Sequence, residues 1–383
     1  IVVAVLLTRS TCAILTSFDQ HQWNNNTYSK IEGIEMAPIV TIGFSLHRPE
    51  MVPLMAGYMR KHDALFLEEP PTVEFERMLS GSIPLDEYVM MVDSEYPQFT
   101  KLMCAALREF KSSGKDIFQV EPYLENLLAL HDFFADGGRP DELNKNTLMY
   151  LVYLAEKKST GALLQYYQTA ASRSFEMTVD AVKRFARSDA ARFRLRDGLR
   201  ARALCALIDN FNSSFVEAGM MHYPLKRLMS QQASRPTLVQ SIFPANEIVK
   251  NLCQKGHLYG PGDQLTLLYI FHPEITAADR ETLLAARALI YSKIVAKEEF
   301  KTDITAYPHL QDELLCIEVT RGLSVNDCRR LFALIRGVDT FNARRIVAED
   351  VMDSSPHLGQ RLKSRRHHVT DVKGQHRHEA ATL

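Results

Sequence analysis

The chain has 383 residues, of which 46% are hydrophobic and 24% are charged, and its formal net charge is −1. This composition is typical of a soluble globular protein, and the balanced charge argues against nucleic acid or an anionic membrane as a partner. The six cysteines form no C-x-x-C pair, which predicts reduced thiols rather than disulfides or a zinc site. No stretch approaches the roughly 20 apolar residues that a membrane span needs, so we expect a cytoplasmic protein.

The first 35 residues predict an unstructured or non-native extension. They begin with the apolar run "IVVAVLLTRSTCAIL" and continue with the polar run "DQHQWNNNTYSKIEG". A truncated signal peptide is the alternative, although no positively charged leader precedes the apolar run. We expect the folded part to begin near Met36.

Five short apolar runs predict β-strands. They are "PIVTIGFS" (38–45), "DALFLEEPP" (63–71), "KDIFQVEPY" (115–123), "SSFVEAG" (213–219) and "RPTLVQSIF" (235–243). Amphipathic helical patterns separate these runs, and strands that alternate with helices indicate an α/β protein. Runs that are apolar throughout are typical of buried parallel strands. The prediction is therefore a mostly parallel central sheet covered by helices.

The remaining regions are predicted to be helical or disordered. Within a core at 36–255, residues 123–212 contain no convincing strand and predict a large insertion of four or five helices. Residues 256–345 predict a helical C-terminal region, in which Ser324 is placed as a helix N-cap. Residues 346–383 are basic, histidine-rich and aperiodic, which predicts a disordered tail.

Ionisable side chains follow four of the five predicted strands. His47 follows the first strand, Glu68 and Glu69 the second, Glu121 the third and His222 the fourth. Because ligands bind at the carboxyl ends of parallel strands, we expect these side chains to face one crevice. Imidazole and carboxylate ligands suit Zn, Mn or Fe, and a bound ion would convert water into a hydroxide nucleophile. Without a metal, a His–Glu pair can act as a general base.

Three further residues are predicted to support this site. Gly43 and Gly219 precede the two histidines, where glycine would tolerate a sharp turn from strand to helix. Arg196, in an arginine-rich helix, could hold a carboxylate or an oxyanion. Each feature also has a structural interpretation: a single histidine after a strand is more often a turn residue, and a single surface arginine usually forms only local ion pairs. The repetition of the pattern at four strand ends favours a site.

Several of these motifs resemble the TraB/PrgY, Tiki, ChaN and erythromycin-esterase-like superfamily. "GMMH" (219–222) resembles its second G-x-x-H signature, and "GFSLH" (43–47) resembles the first with one additional residue. "LFLEEP" resembles the strand that carries a carboxylate, and "RLRDGLRARALCALI" resembles the helix before the second signature. The resemblance implies a metal-dependent hydrolase, a protease as in Tiki, or a haem- or iron-binding protein as in ChaN. It also implies that His47, Glu69 and His222 line the site.

The sequence thus predicts a hydrolase that depends on a divalent metal or on a His/Glu pair and acts on a small molecule or a peptide. His47, Glu69 and His222 are its predicted catalytic residues and metal ligands. The alternatives are a protein that binds haem, iron or another ligand without catalysis, and a helical protein in which the strand-end residues are incidental.

Overall fold

A computed structural model describes residues 37–172, 174–253, 258–300, 303–353 and 355–364. The predicted N-terminal extension and the end of the predicted tail lie outside these ranges. Among the helices in these ranges, none is long and apolar enough to cross a membrane.

Five parallel strands form the central sheet in the order β3-β2-β4-β1-β5. They are β1 (Ile39–Ser45), β2 (Ala64–Leu67), β3 (Asp116–Gln119), β4 (Ser213–Gly219) and β5 (Leu238–Ile242). Alternate side chains enter separate cores: Ile42 and Phe66 pack in one cluster, and Leu65 and Phe215 pack in another. The three inner strands β1, β2 and β4 are buried on both faces, which explains their largely apolar sequences, whereas the edge strands β3 and β5 also carry exposed residues such as Asp116 and Gln240. The predicted α/β fold is confirmed.

Helices surround this sheet. The described ones are α1 (Val52–Met59), α2 (Val73–Leu79), α3 (Leu85–Met91), α4 (Pro97–Ser112), α5 (Pro122–Ala135), α6 (Leu148–Ser172), α7 (Phe175–Ile208), α8 (Leu225–Gln232), α9 (Pro244–Cys253), α10 (Pro261–Phe271), α11 (Ala278–Ile294), α12 (Pro308–Arg321), α13 (Val325–Ile335), α14 (Thr340–Met352) and α15 (Pro356–Ser364). The predicted cap of α13 is confirmed, because the Ser324 side chain accepts a hydrogen bond from the backbone N–H of Asp327.

The predicted insertion is built from fewer and longer helices than expected. Between β3 and β4 the described residues contain three α-helices, α5, α6 and α7, rather than four or five. Helix α7 is 34 residues long, and its buried residues recur along its whole length. Its start is fixed by Ser174, whose hydroxyl accepts a hydrogen bond from the Met177 N–H at 3.3 Å. The first part of α7, from Phe175 to Phe193, packs with the C-terminal helices, and its last part, from Ala201 to Ile208, packs against the sheet.

The prediction of a disordered tail from residue 346 is wrong over its first part. Residues 346–352 complete α14, and α15 follows at 356–364. Apolar residues at helical spacing are buried there: Val347 and Val351 on α14, and Leu358 and Leu362 on α15. Charged and polar residues, among them Glu349, Asp350 and Arg361, separate these positions and conceal the spacing in the sequence. The histidine-rich residues after 364 lie outside the described ranges.

Two buried contacts attach the C-terminal helices to the end of β1. The Glu50 carboxylate accepts hydrogen bonds from the backbone N–H groups of His309 and Leu310 at 3.0 and 3.1 Å, and its other oxygen lies 2.7 Å from His309 Nδ1. Arg48 forms an ion pair with Glu313 on α12. Helix α12 therefore forms part of the wall at this edge of the sheet.

Candidate active site

A pocket opens at the carboxyl ends of β1, β2 and β4, which lie side by side in the sheet. The pairing of Ser45 with Gly219 brings the ends of β1 and β4 level with each other. His47 and His222 lie 3.8 and 3.7 Å from the position that a Cβ atom on Gly219 would take. The pocket is lined by, among others, His47, Arg48, Glu68, Tyr96, Gly219 and His222.

The carboxylate of Glu68 is held from several directions. Its Oε1 atom accepts a hydrogen bond from Arg196 Nη2 at 2.7 Å and lies 2.8 Å from His222 Nε2. Its Oε2 atom accepts a hydrogen bond from the Gly219 N–H at 2.6 Å, and Arg200 Nη1 lies 3.6 Å away. Burial would raise the pKa of Glu68, but the charges of His222 and Arg196 hold it well below the usual range. Glu68 is therefore a fixed anion and not a proton donor.

His222 is enclosed between two carboxylates. Its Nδ1 atom contacts Asp197, its Nε2 atom faces Glu68, and the edge of its ring packs against Phe193 with centroids 5.2 Å apart. Burial would lower the pKa of His222, but the charges of Glu68 and Asp197 raise it to about 9. At neutral pH this imidazole is a cation whose two N–H groups both point at carboxylates.

One face of α7 supplies the remaining cations. Arg192, Arg196 and Arg200 recur every fourth residue and are all buried, whereas Arg202 is exposed. Arg196 Nε lies 3.2 Å from the buried carboxylate of Glu121. The structural interpretation of these arginines as surface charge with local ion pairs is therefore wrong for Arg196 and Arg200, which contact the strand ends. Arg192 is also buried, but it forms a local ion pair with Asp189, one turn earlier in α7.

Arg200 links the ends of two strands. Its Nε atom donates to the Val120 carbonyl at 2.9 Å, and its Nη2 atom donates to the Glu217 carbonyl at 2.7 Å. These backbone contacts lie at the ends of β3 and β4. Because the guanidinium is fully buried, it anchors α7 to the edge of the sheet that carries the pocket.

His47 forms a second and more accessible pair. Its Nε2 atom lies 3.1 Å from Oε1 of Glu217, and the other oxygen of Glu217 accepts a hydrogen bond from the Glu68 N–H at 2.9 Å. The side chain of His47 is 29% exposed and packs against Phe99. Burial would lower the pKa of His47, but the hydrogen bond and the charge of Glu217 raise it above 6.5.

The cluster balances its charges at the sheet edge. Four carboxylates face two arginines and two histidines. The carboxylates are those of Glu68, Glu121, Asp197 and Glu217, and the bases are Arg196, Arg200, His47 and His222. With both histidines protonated the cluster is neutral, and loss of the His47 proton leaves one net negative charge. Buried ions need such pairing, because an unpaired buried charge is strongly destabilising.

Glu69 and Gly43 do not have the positions that the sequence predicts for them. Glu69 is exposed, and its carboxylate accepts a hydrogen bond from Gln119 at 3.0 Å, so Glu68 takes the predicted place of Glu69. Side chains alternate along an extended chain, so only one of two successive glutamates can face α7. Gly43 lies inside β1, where a Cβ atom would come within 2.4 Å of the Phe215 ring. Gly43 therefore serves close packing and not a turn.

Gly219 also differs from its predicted role. Its φ of −67° and ψ of 156° describe an ordinary extended conformation, so a sharp turn does not account for this glycine. Gly219 contributes to the site through its backbone N–H, which donates a hydrogen bond to the Glu68 carboxylate.

Glu217 was missing from the predicted site, although the sequence contains a signal for it. It is the one charged residue in the apolar run of β4, and a buried strand carries a carboxylate only where a partner is present. The register pairs Glu217 with Gly43, one strand over, and places it beside His47. Asp197 follows Arg196 in the sequence, but its contact with His222 depends on the rotation of α7, which the sequence does not specify.

The donor atoms do not fit the predicted divalent metal. Across the described residues, no group of three His, Cys, Asp or Glu side chains is placed to hold a metal ion. Both ring nitrogens of His222 face carboxylates, and the Glu68 oxygens are occupied by Arg196, His222 and Gly219. His47 Nδ1 is left as a single nitrogen donor, whereas metal centres of this type use three or more ligands.

Comparison with known proteins identifies one similar protein of undefined activity. The chain is 29% identical to an uncharacterized protein of Archaeoglobus fulgidus over 286 residues, which cover 74% of this chain and 94% of the archaeal protein. No family model matches the chain, and no solved structure matches it significantly. The resemblance to the TraB and ChaN superfamily remains a prediction.

Proposed function

We propose that the protein is a hydrolase in which His47 acts as a general base on water, with Glu217 as its orienting carboxylate. The observation that supports this proposal is the contact of His47, which lines the pocket, with Glu217 behind it. It combines an acidic partner on one ring nitrogen with partial exposure of the ring, which is the arrangement expected of a base that must reach water.

The contact with Glu217 sets the tautomer of neutral His47. An ionised carboxylate accepts hydrogen bonds but cannot donate them, so Nε2 carries the proton and Nδ1 is the basic atom. Nδ1 has no hydrogen-bond partner among the described residues. When Nδ1 takes a proton from water, the Glu217 carboxylate stabilises the resulting imidazolium, and the cluster becomes neutral.

The ion pairs behind the pocket would hold this base in place. Glu68 accepts hydrogen bonds from Arg196 and from the Gly219 backbone, while its own N–H donates to Glu217. The chain ends of β2 and β4 are thereby joined beside His47. A rigid shell of this kind is what general-base geometry requires.

The substrate class that suits this chemistry is an ester or amide of a small molecule or a peptide. Water attack on a carbonyl needs a base but no redox or phosphate-binding group. The cytoplasm is the location we propose, because Cys104, Cys205 and Cys328 are buried thiols, which suits a reducing compartment.

The test uses the purified full chain with p-nitrophenyl acetate and an alanine p-nitroanilide as probes. Hydrolysis should rise with pH through the raised pKa of His47, because only the neutral imidazole accepts a proton. Replacement His47→Gln should lower kcat by roughly 100- to 10,000-fold. Replacement Glu217→Gln should move the acidic limb of the pH profile to lower pH, since the charge that raises the His47 pKa is lost.

His131→Gln, which changes an exposed histidine of α5, is the matched control and should retain full activity. Unchanged hydrolysis by His47→Gln would refute the proposal. Loss of activity in EDTA, with recovery on Zn or Mn, would instead support the metal-dependent prediction. A Soret band on haem addition that His47→Gln abolishes, without hydrolysis, would support the binding protein.

A further inference from the structure

Arg48 occupies an unusual position beside the proposed base. It follows His47 directly, lines the same pocket and is only 3% exposed. Its Nε atom donates to Glu313 Oε1 at 3.2 Å, and its Nη2 atom contacts the same oxygen. Its guanidinium carbon lies 5.0 Å from the centre of the Tyr96 ring. Contacts from two sides, with Glu313 on α12 and with Tyr96 just before α4, therefore fix the plane and the direction of this guanidinium.

One nitrogen of this guanidinium is not used by the fold. Arg48 Nη1 is buried and has no hydrogen-bond partner among the described residues. An unmade hydrogen bond of a buried charged group costs about 1–3 kcal/mol or more. An unpaired nitrogen by itself does not indicate a binding site, since Nη1 of Arg344 is also buried without a hydrogen-bond partner among the described residues. What distinguishes Arg48 is that it lines the pocket that contains His47, whereas Arg344 does not.

We propose, building on the hydrolase function above, that Arg48 is a catalytic residue whose Nη1 donates a hydrogen bond to the carbonyl oxygen of the substrate. His47 Nδ1 takes a proton from water, and the water oxygen bonds to the carbonyl carbon. The electron pair of the C=O bond moves to the oxygen that faces Arg48. The bond to the leaving group then breaks, the C=O bond re-forms, and His47 returns its proton to the leaving group.

The fixed geometry is what makes Arg48 suitable for this role. Donors that are already oriented stabilise a developing oxyanion without reorganisation, and loss of one such donor lowers kcat by roughly 100- to 1,000-fold. The pair with Glu313 balances the formal charge of Arg48, so the site favours one oxygen acceptor over a multiply charged anion. The carboxylate product of hydrolysis presents the same kind of oxygen.

The test therefore uses acetate as the probe and does not depend on catalysis. The full chain is labelled with ¹³Cε1-histidine, and the His47 signal is assigned by its loss in His47→Gln. Sodium acetate should shift this signal saturably, whereas sodium chloride at equal ionic strength should not. Arg48→Lys retains a cation for Glu313 but lacks the second nitrogen, and it should bind acetate roughly 10- to 100-fold more weakly.

Arg344→Lys is the matched control, because it changes a buried arginine that is paired with Asp312 away from the pocket. It should leave acetate binding unchanged. Equal acetate affinity in the wild type and in Arg48→Lys, or no binding in the wild type, would overturn the proposal. If Arg48→Lys does not fold, the double variant Arg48→Gln/Glu313→Gln, which removes both charges, provides the same comparison.

The experiments distinguish failure of the proposed role of Arg48 from failure of the proposed hydrolase function. Hydrolysis that requires His47 but keeps its kcat in Arg48→Lys would refute the role of Arg48 alone. Acetate binding that requires Arg48, in a protein that cleaves neither ester nor anilide, would refute the hydrolase and retain the oxygen-binding site.

Discussion

The protonated state of His222 should make the protein less stable as the pH rises above neutrality. Its pKa is about 9 in the folded chain and 6.5 when it is unperturbed. A group whose pKa is raised by folding contributes its full stabilisation below the unfolded pKa, here below 6.5. That stabilisation is lost as the pH rises through about 9.

The size of the effect follows from the two pKa values. One pH unit corresponds to about 1.4 kcal/mol, so the interval from 6.5 to about 9 corresponds to about 3 kcal/mol. The side chain of His222 is 3% exposed, so little screening by solvent reduces this figure. The stabilisation comes from Glu68 and Asp197, which hold both N–H groups of the imidazolium.

Urea unfolding followed by circular dichroism at pH 6.0 and pH 9.5 measures this loss. The free energy of unfolding of the wild type should fall by about 3 kcal/mol more than that of His222→Gln over this interval. His272→Gln, which changes an exposed histidine, should behave as the wild type does. The same pH dependence in the wild type and in His222→Gln would show that the imidazole is neutral in the fold and would refute this account of the cluster.

Two further substitutions test the packing around the pocket, both by the free energy of unfolding. Arg200→Leu should lower the free energy of unfolding by about 3–5 kcal/mol, because Glu68 and the neighbouring carboxylates lose a buried cation. The control Arg202→Leu, at an exposed position, should change the free energy of unfolding by less than about 0.5 kcal/mol. A small effect of Arg200→Leu would contradict the role of the cluster in stability. Gly43→Ala should destabilise by about 1–3 kcal/mol through its clash with Phe215, whereas Gly57→Ala in α1 meets no atom within 4 Å and should be neutral or stabilising.

The strand ends show how far the sequence specifies this site. His47, Glu68, Glu121 and His222 could be placed at one edge because a parallel sheet has all its carboxyl ends on the same side. The sequence could not choose between Glu68 and Glu69. That choice depends on the strand twist and on the position of α7, which together decide which of two alternating side chains is covered.

The helices show the same limit. The 3.6-residue spacing of apolar residues indicates α7 and most of the C-terminal helices, but the rotation of a helix follows only from its packing. This rotation turns Arg196 and Arg200 inward and Arg202 outward. In α14 and α15 charged and polar residues conceal an apolar spacing that burial makes evident.

The sequence by itself determined the five strands, the α/β class and the set of strand-end residues, since each depends on patterns that extend over a few neighbouring residues. Only the tertiary structure decided the chemistry of the pocket. The pairs His47–Glu217 and Arg48–Glu313 join residues 170 and 265 positions apart. Contacts at such separations depend on strand order and on helix docking, which no local pattern encodes.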